Sequence, residues 1–333
     1  MPRKNNRGRN PFEPHTFPEK FPEHYSEQNK EQCRDILEWL NKHEHSLSWM
    51  AKLARLSTST FYRAVKGEYK TDPTKFLKTA LDAITTQNAR RGISHIPFVK
   101  TSVSEIVWMA CNRARRYASF AVVSGWVGTG KTRSLKEYKA AHENTYLIES
   151  DPGMSVQALL DELIKQIGCG HVKSSANQHS KFTAIIEELK GTDVLLIIDE
   201  AETLTAKALH YLRRIRDKAG IGIVLAGTEN LSSLINQVHG EFDQIRSRVN
   251  FWPNTVNGIK HDDAEAIIAN AFSDEGDIEQ EVVEQLWRYS GGSMRMLVED
   301  LIPAVRDFGL QQGHELSVDL VDSIAHKALN LKL

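Results

Sequence analysis

The run Gly-Trp-Val-Gly-Thr-Gly-Lys-Thr at residues 125 to 132 constrains this chain more than any other feature, because it is a complete P-loop. An apolar segment at residues 120–124 leads directly into it, and a helical pattern follows. In such a loop, backbone N–H groups and a helix N-terminus converge on phosphate oxygens, and glycines let the backbone wrap closely. We therefore expect ATP to bind here. The residues expected to hold the nucleotide are Gly125, Gly128, Thr129, Gly130, Lys131, Thr132, Arg133 and Asp199.

A second motif, Leu-Leu-Ile-Ile-Asp-Glu at residues 195 to 200, supports the same interpretation. It is a buried-strand pattern that delivers two acids to the carboxyl edge of a sheet, where ligands of open α/β sheets bind. We expect Lys131 to reach the β- and γ-phosphates and Thr132 and Asp199 to hold Mg²⁺. Glu200 is expected to polarise the attacking water as the catalytic base. The two motifs together predict an ATPase.

Composition excludes several other classes of protein. Hydrophobic residues make up 41% and charged residues 26% of the 333 residues, the balance of an ordinary globular protein. No apolar run approaches the ~18 residues of a membrane span, and the N-terminus has no apolar signal-peptide core. The three cysteines are far apart, so neither a zinc site nor a disulfide framework is expected, and the cytoplasm is the expected compartment. The net charge of −1 means that any nucleic-acid binding must come from local basic patches.

Strand and helix patterns alternate from Ile96 onward, which predicts an α/β fold with a parallel sheet. A core at 96–257 is followed by a helical lid subdomain at 258–333. The predicted strands are Phe120–Ser124, Thr145–Glu149, Val194–Asp199, Gly222–Thr228 and Phe251–Val256. The predicted helices include Val103–Tyr117 in the core and Asp262–Phe272, Gln280–Tyr289, Ser293–Phe308 and Ser317–Leu329 in the lid.

The N-terminal part divides into three segments. Residues 1–25 form a basic, proline-punctuated arm that we expect to be disordered, residues 26–84 a helical domain, and residues 85–95 a linker. Residues 49 to 67 have helix-turn-helix spacing, in which Ser57 is placed to cap the second helix. Between Lys52 and Lys78 there are seven basic and two acidic residues, and this local excess of five positive charges suits contact with phosphates. The expected DNA contacts are Thr58, Ser59, Arg63 and Lys66, although helix-turn-helix patterns also occur in protein-docking domains.

From Ile96 to its end the chain resembles the AAA+ class of P-loop NTPases, which implies a five-stranded parallel sheet with a helical lid. AAA+ proteins carry a polar sensor residue at the end of the strand that follows the Asp-Glu strand. Thr228 is the first choice for this sensor and Asn230 the second. They carry an arginine finger before the last strand, where Arg248 is preferred over Arg246, and a lid arginine, which Arg295 matches. A finger that reaches a neighbouring subunit's ATP implies an oligomer.

The helix-turn-helix block joined to an AAA+ module is similar to the transposition-regulator ATPases, the group that includes MuB of phage Mu and the TnsC and TniB proteins. The Asp-Glu-Ala-Glu run at 199–202 and the run from Gly222 to Asn230 carry this resemblance. It implies an ATPase that assembles as a ring or helical oligomer on double-stranded target DNA and recruits or activates a transposase. A target-selector protein is a further candidate partner. The stretch Gly168–Lys181, with Lys173 and Lys181, is the candidate DNA-contacting inner loop, and a solvated loop is the alternative.

Two other functions stay open at this point. One is a helicase or replication-initiator loader, which would also be an AAA+ protein associated with DNA. The other is a transcriptional regulator that reads an operator with its helix-turn-helix and responds to ATP. A secretion-associated ATPase is disfavoured, because nothing resembles a membrane or peptidoglycan-binding segment.

Overall fold

The structure is a computed structural model that describes residues 14–18, 20–93, 96–169, 172–236 and 242–332, with the side chains of residues 88–93 left aside. The chain divides into two compact units, residues 1–95 and 96–333. This boundary coincides with the predicted end of the linker. No helix among the described residues is both long and apolar enough to cross a membrane.

The first unit is a small helical domain with its own hydrophobic core. Its helices are α1 Glu27–Lys42, α2 Leu47–Leu53, α3 Thr58–Val65 and α4 Thr74–Ile93. Ser26 and Ser46 cap α1 and α2 by accepting from the backbone N–H three residues later. Phe61, Ala64 and Val65 of α3 are fully buried, as the helix-turn-helix pattern predicts. Ser57 stands at the N-cap of α3, but its hydroxyl pairs with Ser59 at 3.2 Å and makes no capping bond.

Two boundaries in this unit differ from the sequence prediction. The expected linker at 85–95 is helical as far as Ile93, where α4 ends, and the hydroxyls of Thr85 and Thr86 donate to carbonyls one turn earlier in that helix. The described part of the predicted disordered arm packs on the unit: the Phe17, Phe21 and Tyr25 rings follow one another at 5.4 and 5.3 Å. The aromatic residues between the prolines supply the apolar surface that a free tail would lack. Residues 1–13 lie outside the described residues.

The second unit is built around a five-stranded parallel sheet in the order β2-β3-β4-β1-β5. Its strands are β1 Phe120–Ser124, β2 Thr145–Glu149, β3 Leu195–Asp199, β4 Gly222–Gly227 and β5 Val249–Phe251. Helices cover both faces, and those before the lid are α5 Ser102–Tyr117, α6 Lys131–Ala141, α7 Val156–Ile167, α8 Gln178–Leu189, α9 Ala206–Ala219, α10 Glu229–Ile235 and α11 Asp243–Arg246. Strands β1, β3 and β4 are buried at every position, which explains their continuous apolar sequences.

Strand β5 begins two residues before the predicted segment 251–256 and ends at the first residue of that segment. Pro253 has no N–H to donate, so regular pairing stops at Phe251 and resumes only as a bridge between Gly125 and Val256. The edge position of β5 tolerates this interruption. Its register with β1 also shifts after Phe120.

The helices after Val256 share one apolar core with α5 and α6. They are α12 His261–Ala271, α13 Gln280–Ser290, α14 Ile302–Phe308 and α15 Val318–Lys327. The backbone N–H and hydroxyl of Ser102, at the start of α5, bond to Asp263 at 2.7 and 2.6 Å and tie α5 to the lid. The predicted continuous helix 293–308 is instead a π-helix over Met296–Leu301 that passes into α14. Pro303 lacks the N–H that an α-helix would need there, so the widened turn has a local cause.

Candidate nucleotide site

The P-loop connects the buried end of β1 to the start of α6. Gly125 donates to the carbonyl of Gly227 at 3.2 Å, and Trp126 donates to the carbonyl of Val256 at 2.8 Å. A Cβ on Gly125 would lie 2.7 Å from the Val256 carbonyl oxygen, so only glycine fits at this close approach. Gly130 caps α6 with a left-handed φ of 92°. The loop is thus held from both sides, with the α6 N-terminus at its end.

Lys131 is buried inside this loop. Its ammonium donates to the carbonyls of Gly125 and Trp126, both at 2.8 Å, and lies 3.3 Å from the Thr129 hydroxyl. Burial lowers the pKa of Lys131, while the negative charges of Asp199 and Glu202 oppose that shift. Phosphate oxygens are stronger acceptors for an ammonium than neutral carbonyls. The side chain is therefore placed to exchange these carbonyls for a triphosphate.

Thr132 and Asp199 come together across the sheet edge, as the two sequence motifs predict. The Thr132 hydroxyl donates to the Asp199 carboxylate at 2.6 Å, and the N–H of Glu200 donates to the other carboxylate oxygen at 3.0 Å. Burial raises the pKa of Asp199, and these hydrogen bonds work against that shift. A hydroxyl and a buried carboxylate are the hard oxygen donors that Mg²⁺ prefers, so the pair fits that ion.

Glu200 follows directly, with its side chain exposed beside Asp199. Its backbone is left-handed, with φ of 53°, which is uncommon for a residue other than glycine. The Glu200 carbonyl accepts from the hydroxyls of Ser150 and Thr203, both at 2.9 Å. These bonds hold the turn that begins at Glu200.

The sensor candidate Thr228 lies at the end of β4, which runs between β1 and β3. Its N–H donates to the carboxylate of Glu202 at 3.0 Å. Sequence reasoning did not assign a role to Glu202, although it stands three residues after Asp199. The second candidate, Asn230, is exposed on the first turn of α10.

The lid arginine segment reaches the P-loop. Arg295 donates its backbone N–H to the Gly128 carbonyl at 2.9 Å, and a Cβ on Gly130 would lie 2.5 Å from the sulfur of Met294. The Arg295 guanidinium is exposed and lies 3.6 Å from the Glu299 carboxylate. Burial is the largest cause that lowers the pKa of Lys131, and the positive charge of Arg295 lowers it further. Arg295 therefore stands beside the nucleotide site. Arg133, in contrast, pairs with Glu137 along α6 at 2.9 Å and is directed along its own helix.

The two finger candidates are held by neighbours in their own chain. Arg248 donates to the Asp217 carboxylate at 2.9 Å and to the Gln244 carbonyl at 2.6 Å. Arg246 pairs with Asp243 at 2.9 Å. Within the described parts of the chain, neither arginine makes a hydrogen bond or ion pair with the P-loop.

The predicted DNA contacts separate into exposed and engaged residues. Thr58, Ser59 and Arg63 are exposed on α3, where a recognition helix would present them. Lys66 is half-buried, and its ammonium donates to the Thr16 carbonyl at 2.7 Å, so it binds the N-terminal segment.

The two lysines of the candidate inner loop differ sharply. Lys173 is exposed, in agreement with the prediction. Lys181 is fully buried, paired with Asp161 and bonded to the Ser174 carbonyl at 2.7 Å, so its assignment as a DNA contact is wrong. It stands in the first turn of α8, whose packing against α7 turns the side chain inward.

Comparisons with known proteins agree with this geometry. The AAA domain family matches residues 114–235. The chain is 31% identical over 217 residues to the Mu-like prophage FluMu DNA transposition protein B of Haemophilus influenzae, covering 63% of this chain and 74% of that protein. It is 29% identical over 268 residues to the ATP-dependent target DNA activator B of Escherichia phage Mu, covering 79% of this chain and 84% of that protein.

Two solved structures share the fold. The ORC2 protein of Aeropyrum pernix in its ADP form has a TM-score of 0.54 at 18% identity, covering 72% of each chain. Cdc6p of Pyrobaculum aerophilum has a TM-score of 0.51 at 16% identity, covering 67% of this chain and 65% of that one. At such low identity these likenesses concern the fold alone. They agree with the predicted AAA+ architecture.

Proposed function

The chain belongs to the family of Mu-type DNA transposition proteins B, and from this premise we propose how it works as an ATP-dependent transposition regulator that marks target DNA. It is an AAA+ ATPase. The observation that carries the proposal is the assembly of Lys131, the Thr132–Asp199 pair and Glu200 at one sheet edge. The family relatives are named for target DNA activation and transposition, so the nucleotide site serves DNA transactions.

For hydrolysis, the P-loop N–H groups and Lys131 bind and orient the triphosphate of ATP. Mg²⁺, held by Thr132 and Asp199, would supply positive charge to the β- and γ-phosphates. Glu200 orients a water for in-line attack and accepts its proton, and its exposed position leaves room for that water. Thr228 and Arg295 stabilise the reacting phosphate as sensor and lid groups.

Assembly on DNA completes the site. We propose that Arg248, released from Asp217, reaches the ATP of a neighbouring subunit in a ring or helical oligomer, with Arg246 as the second choice. Charge neutralisation by a finger in trans couples hydrolysis to assembly. Lys173 contacts duplex phosphates from the AAA+ unit, while Thr58, Ser59 and Arg63 supply a second contact from the helical unit.

The partners follow from the same proposal. Double-stranded DNA is the surface on which the oligomer forms, and a transposase is recruited or activated there. A target-selector protein is a further candidate, and the cytoplasm is the proposed compartment. Membership of the family does not favour a helicase loader or an operator-reading regulator.

The decisive experiment compares wild type with Glu200→Gln on a random-sequence duplex. The amide cannot accept the proton of water, so we expect the variant to bind ATP, stop turning it over and stay assembled on DNA. Fluorescence anisotropy would follow binding across a salt series, and electron microscopy would reveal the assemblies.

Lys131→Ala by itself serves as the control, because a chain that binds ATP weakly should not assemble on DNA on its own, with or without added ATP. Wild-type turnover by Glu200→Gln would remove Glu200 as the base. DNA binding that needs no ATP and depends on one operator sequence would contradict the transposition proposal and support the transcriptional alternative.

A further inference from the structure

Glu202 supplies a third carboxylate, after Asp199 and Glu200, close to the nucleotide site. After Glu200 the chain makes a 3₁₀ turn over Ala201–Thr203, which brings the Glu202 side chain back toward the end of β4. One carboxylate oxygen accepts the backbone N–H of Thr228 at 3.0 Å. Glu202 thus links the turn after β3 to the first residue after β4.

The same carboxylate packs against residue 227, which is glycine. A Cβ on Gly227 would lie 1.9 Å from the second carboxylate oxygen of Glu202, so a side chain at this position would displace the carboxylate. The Gly227 carbonyl in turn accepts the N–H of Gly125 at 3.2 Å. Glu202 is therefore packed against Gly227, the residue at the end of β4 whose carbonyl is hydrogen-bonded to the P-loop.

Two buried polar atoms at this junction have no partner. Neither the second oxygen of Glu202 nor the hydroxyl of Thr228 makes a hydrogen bond with any described residue. Buried polar atoms in native proteins are usually paired, so these two atoms have unused hydrogen-bonding capacity at the edge of the nucleotide site. Glu202 also lies within electrostatic reach of Lys131, whose pKa its charge raises against the larger effect of burial.

We propose that Glu202 is a positioning residue for ATP hydrolysis: its carboxylate fixes the backbone of Thr228 against the P-loop and so sets where the Thr228 hydroxyl meets the reacting phosphate. The inference rests on the proposed ATPase mechanism and goes beyond it, since no role is otherwise given to Glu202. A carboxylate is a stronger hydrogen-bond acceptor than a neutral group, which suits a contact that must hold the Thr228 N–H in place.

The test measures kcat, KM and ATP affinity for Glu202→Ala, Glu202→Gln and Glu229→Ala. Glu229 is the matched control. Its carboxylate follows Thr228 in sequence, is exposed, and also raises the pKa of Lys131, but the Thr228 N–H donates to Glu202 and not to Glu229. A misplacement of about 1 Å costs on the order of 100-fold in rate, so we expect Glu202→Ala to lower kcat by about 10- to 100-fold. ATP affinity by calorimetry should change little, and Glu229→Ala should behave as wild type.

The glutamine variant separates positioning from folding. Its amide oxygen can still accept from Thr228, so Glu202→Gln should have a kcat closer to wild type than to Glu202→Ala. Unchanged kcat in Glu202→Ala would overturn the proposal. So would a loss of kcat that is matched by Glu202→Gln and by Glu229→Ala.

A second pair of variants tests the contact itself, even if Glu202→Ala is poorly stable. Gly227→Ala in the wild-type chain should lower kcat, because its methyl group displaces the Glu202 carboxylate. In a Glu202→Ala background the methyl group no longer meets a carboxylate and has only Leu231, at 3.2 Å, to displace slightly, so adding Gly227→Ala should cost little further. Additive losses would contradict the contact. Absence of any turnover in the wild type would instead defeat the proposed ATPase mechanism, which keeps the two failures distinct.

Discussion

The buried pair of Lys181 and Asp161 allows a prediction whose two halves differ in size. Lys181 is fully buried, whereas the Asp161 side chain is 46% exposed. Replacing the acid by asparagine leaves an ammonium inside the protein without its compensating negative charge, and only neutral oxygens, the Ser174 carbonyl and the asparagine amide, remain as its acceptors among the described residues. Removing the lysine leaves an aspartate that water can solvate. Asp161→Asn should therefore destabilise the unit far more than Lys181→Met.

The magnitudes follow from this asymmetry. Breaking a fully buried pair from one side costs about 3–5 kcal/mol, and an exposed pair contributes at most about 1 kcal/mol. Because water can approach through the half-exposed acid, we expect about 2–3 kcal/mol for Asp161→Asn. For Lys181→Met, which keeps the methylene packing, we expect less than about 1 kcal/mol. At roughly 2–4 °C per kcal/mol for a unit of this size, Asp161→Asn should lower Tm by about 4–12 °C.

Urea denaturation followed by circular dichroism would measure both variants. ATP-dependent binding to a random duplex supplies a second readout: Lys181→Met should bind as wild type, while the exposed Lys173→Ala should bind more weakly and with a shallower salt dependence. Equal destabilisation by the two substitutions would refute the reasoning about burial. A loss of DNA affinity in a stable Lys181→Met would restore this lysine as a DNA contact.

Three further predictions concern the nucleotide site. Lys131→Ala should weaken ATP binding by roughly 10- to 100-fold, the value of a charge-assisted hydrogen bond; equal affinities in calorimetry would argue against the P-loop assignment. Arg248→Ala should bind ATP as a monomer but lose cooperative hydrolysis. Adding Lys131→Ala subunits, which still carry Arg248, should restore part of the hydrolysis in mixed oligomers. If no mixing ratio restores hydrolysis, the result would count against a finger in trans. Burial raises the pKa of Asp199 above that of an ordinary aspartate, and the ionised form is needed to hold Mg²⁺. The Mg²⁺-dependent part of ATP affinity should therefore begin to fall on acidification at a higher pH than an ordinary aspartate would give. ATP affinity measured in EDTA should not follow that curve.

Much of the nucleotide site could be predicted because its parts are local. The P-loop needs glycine at fixed spacing, and a buried strand that ends in Asp199-Glu200 places both acids at the sheet edge. Each of these depends on residues close in sequence. The 2.6 Å contact between Thr132 and Asp199 follows once both strands are assigned to one parallel sheet.

What could not be predicted depends on residues distant in sequence or on cancelling local signals. Lys181 looked like a solvated cation because nothing local shows that α7 brings Asp161 beside it. The aromatic rings at 17 to 25 were outweighed by the prolines between them, although together they order the segment. Pro253 and Pro303 shift the last strand and widen a lid helix through missing N–H donors, and only the surrounding structure decides how the chain accommodates them.

The sequence by itself determined the motifs on which the proposed chemistry rests: a P-loop, a buried strand that ends in two acids, and a basic segment with helix-turn-helix spacing, each encoded in a few adjacent residues. The tertiary structure alone decided which side chains share a space. The sheet order puts β4 between β1 and β3, and only this order brings Glu202, Gly227 and Thr228 against the P-loop. Backbone hydrogen bonding and apolar burial follow local patterns, whereas the pairing of a buried charge depends on the final path of the whole chain.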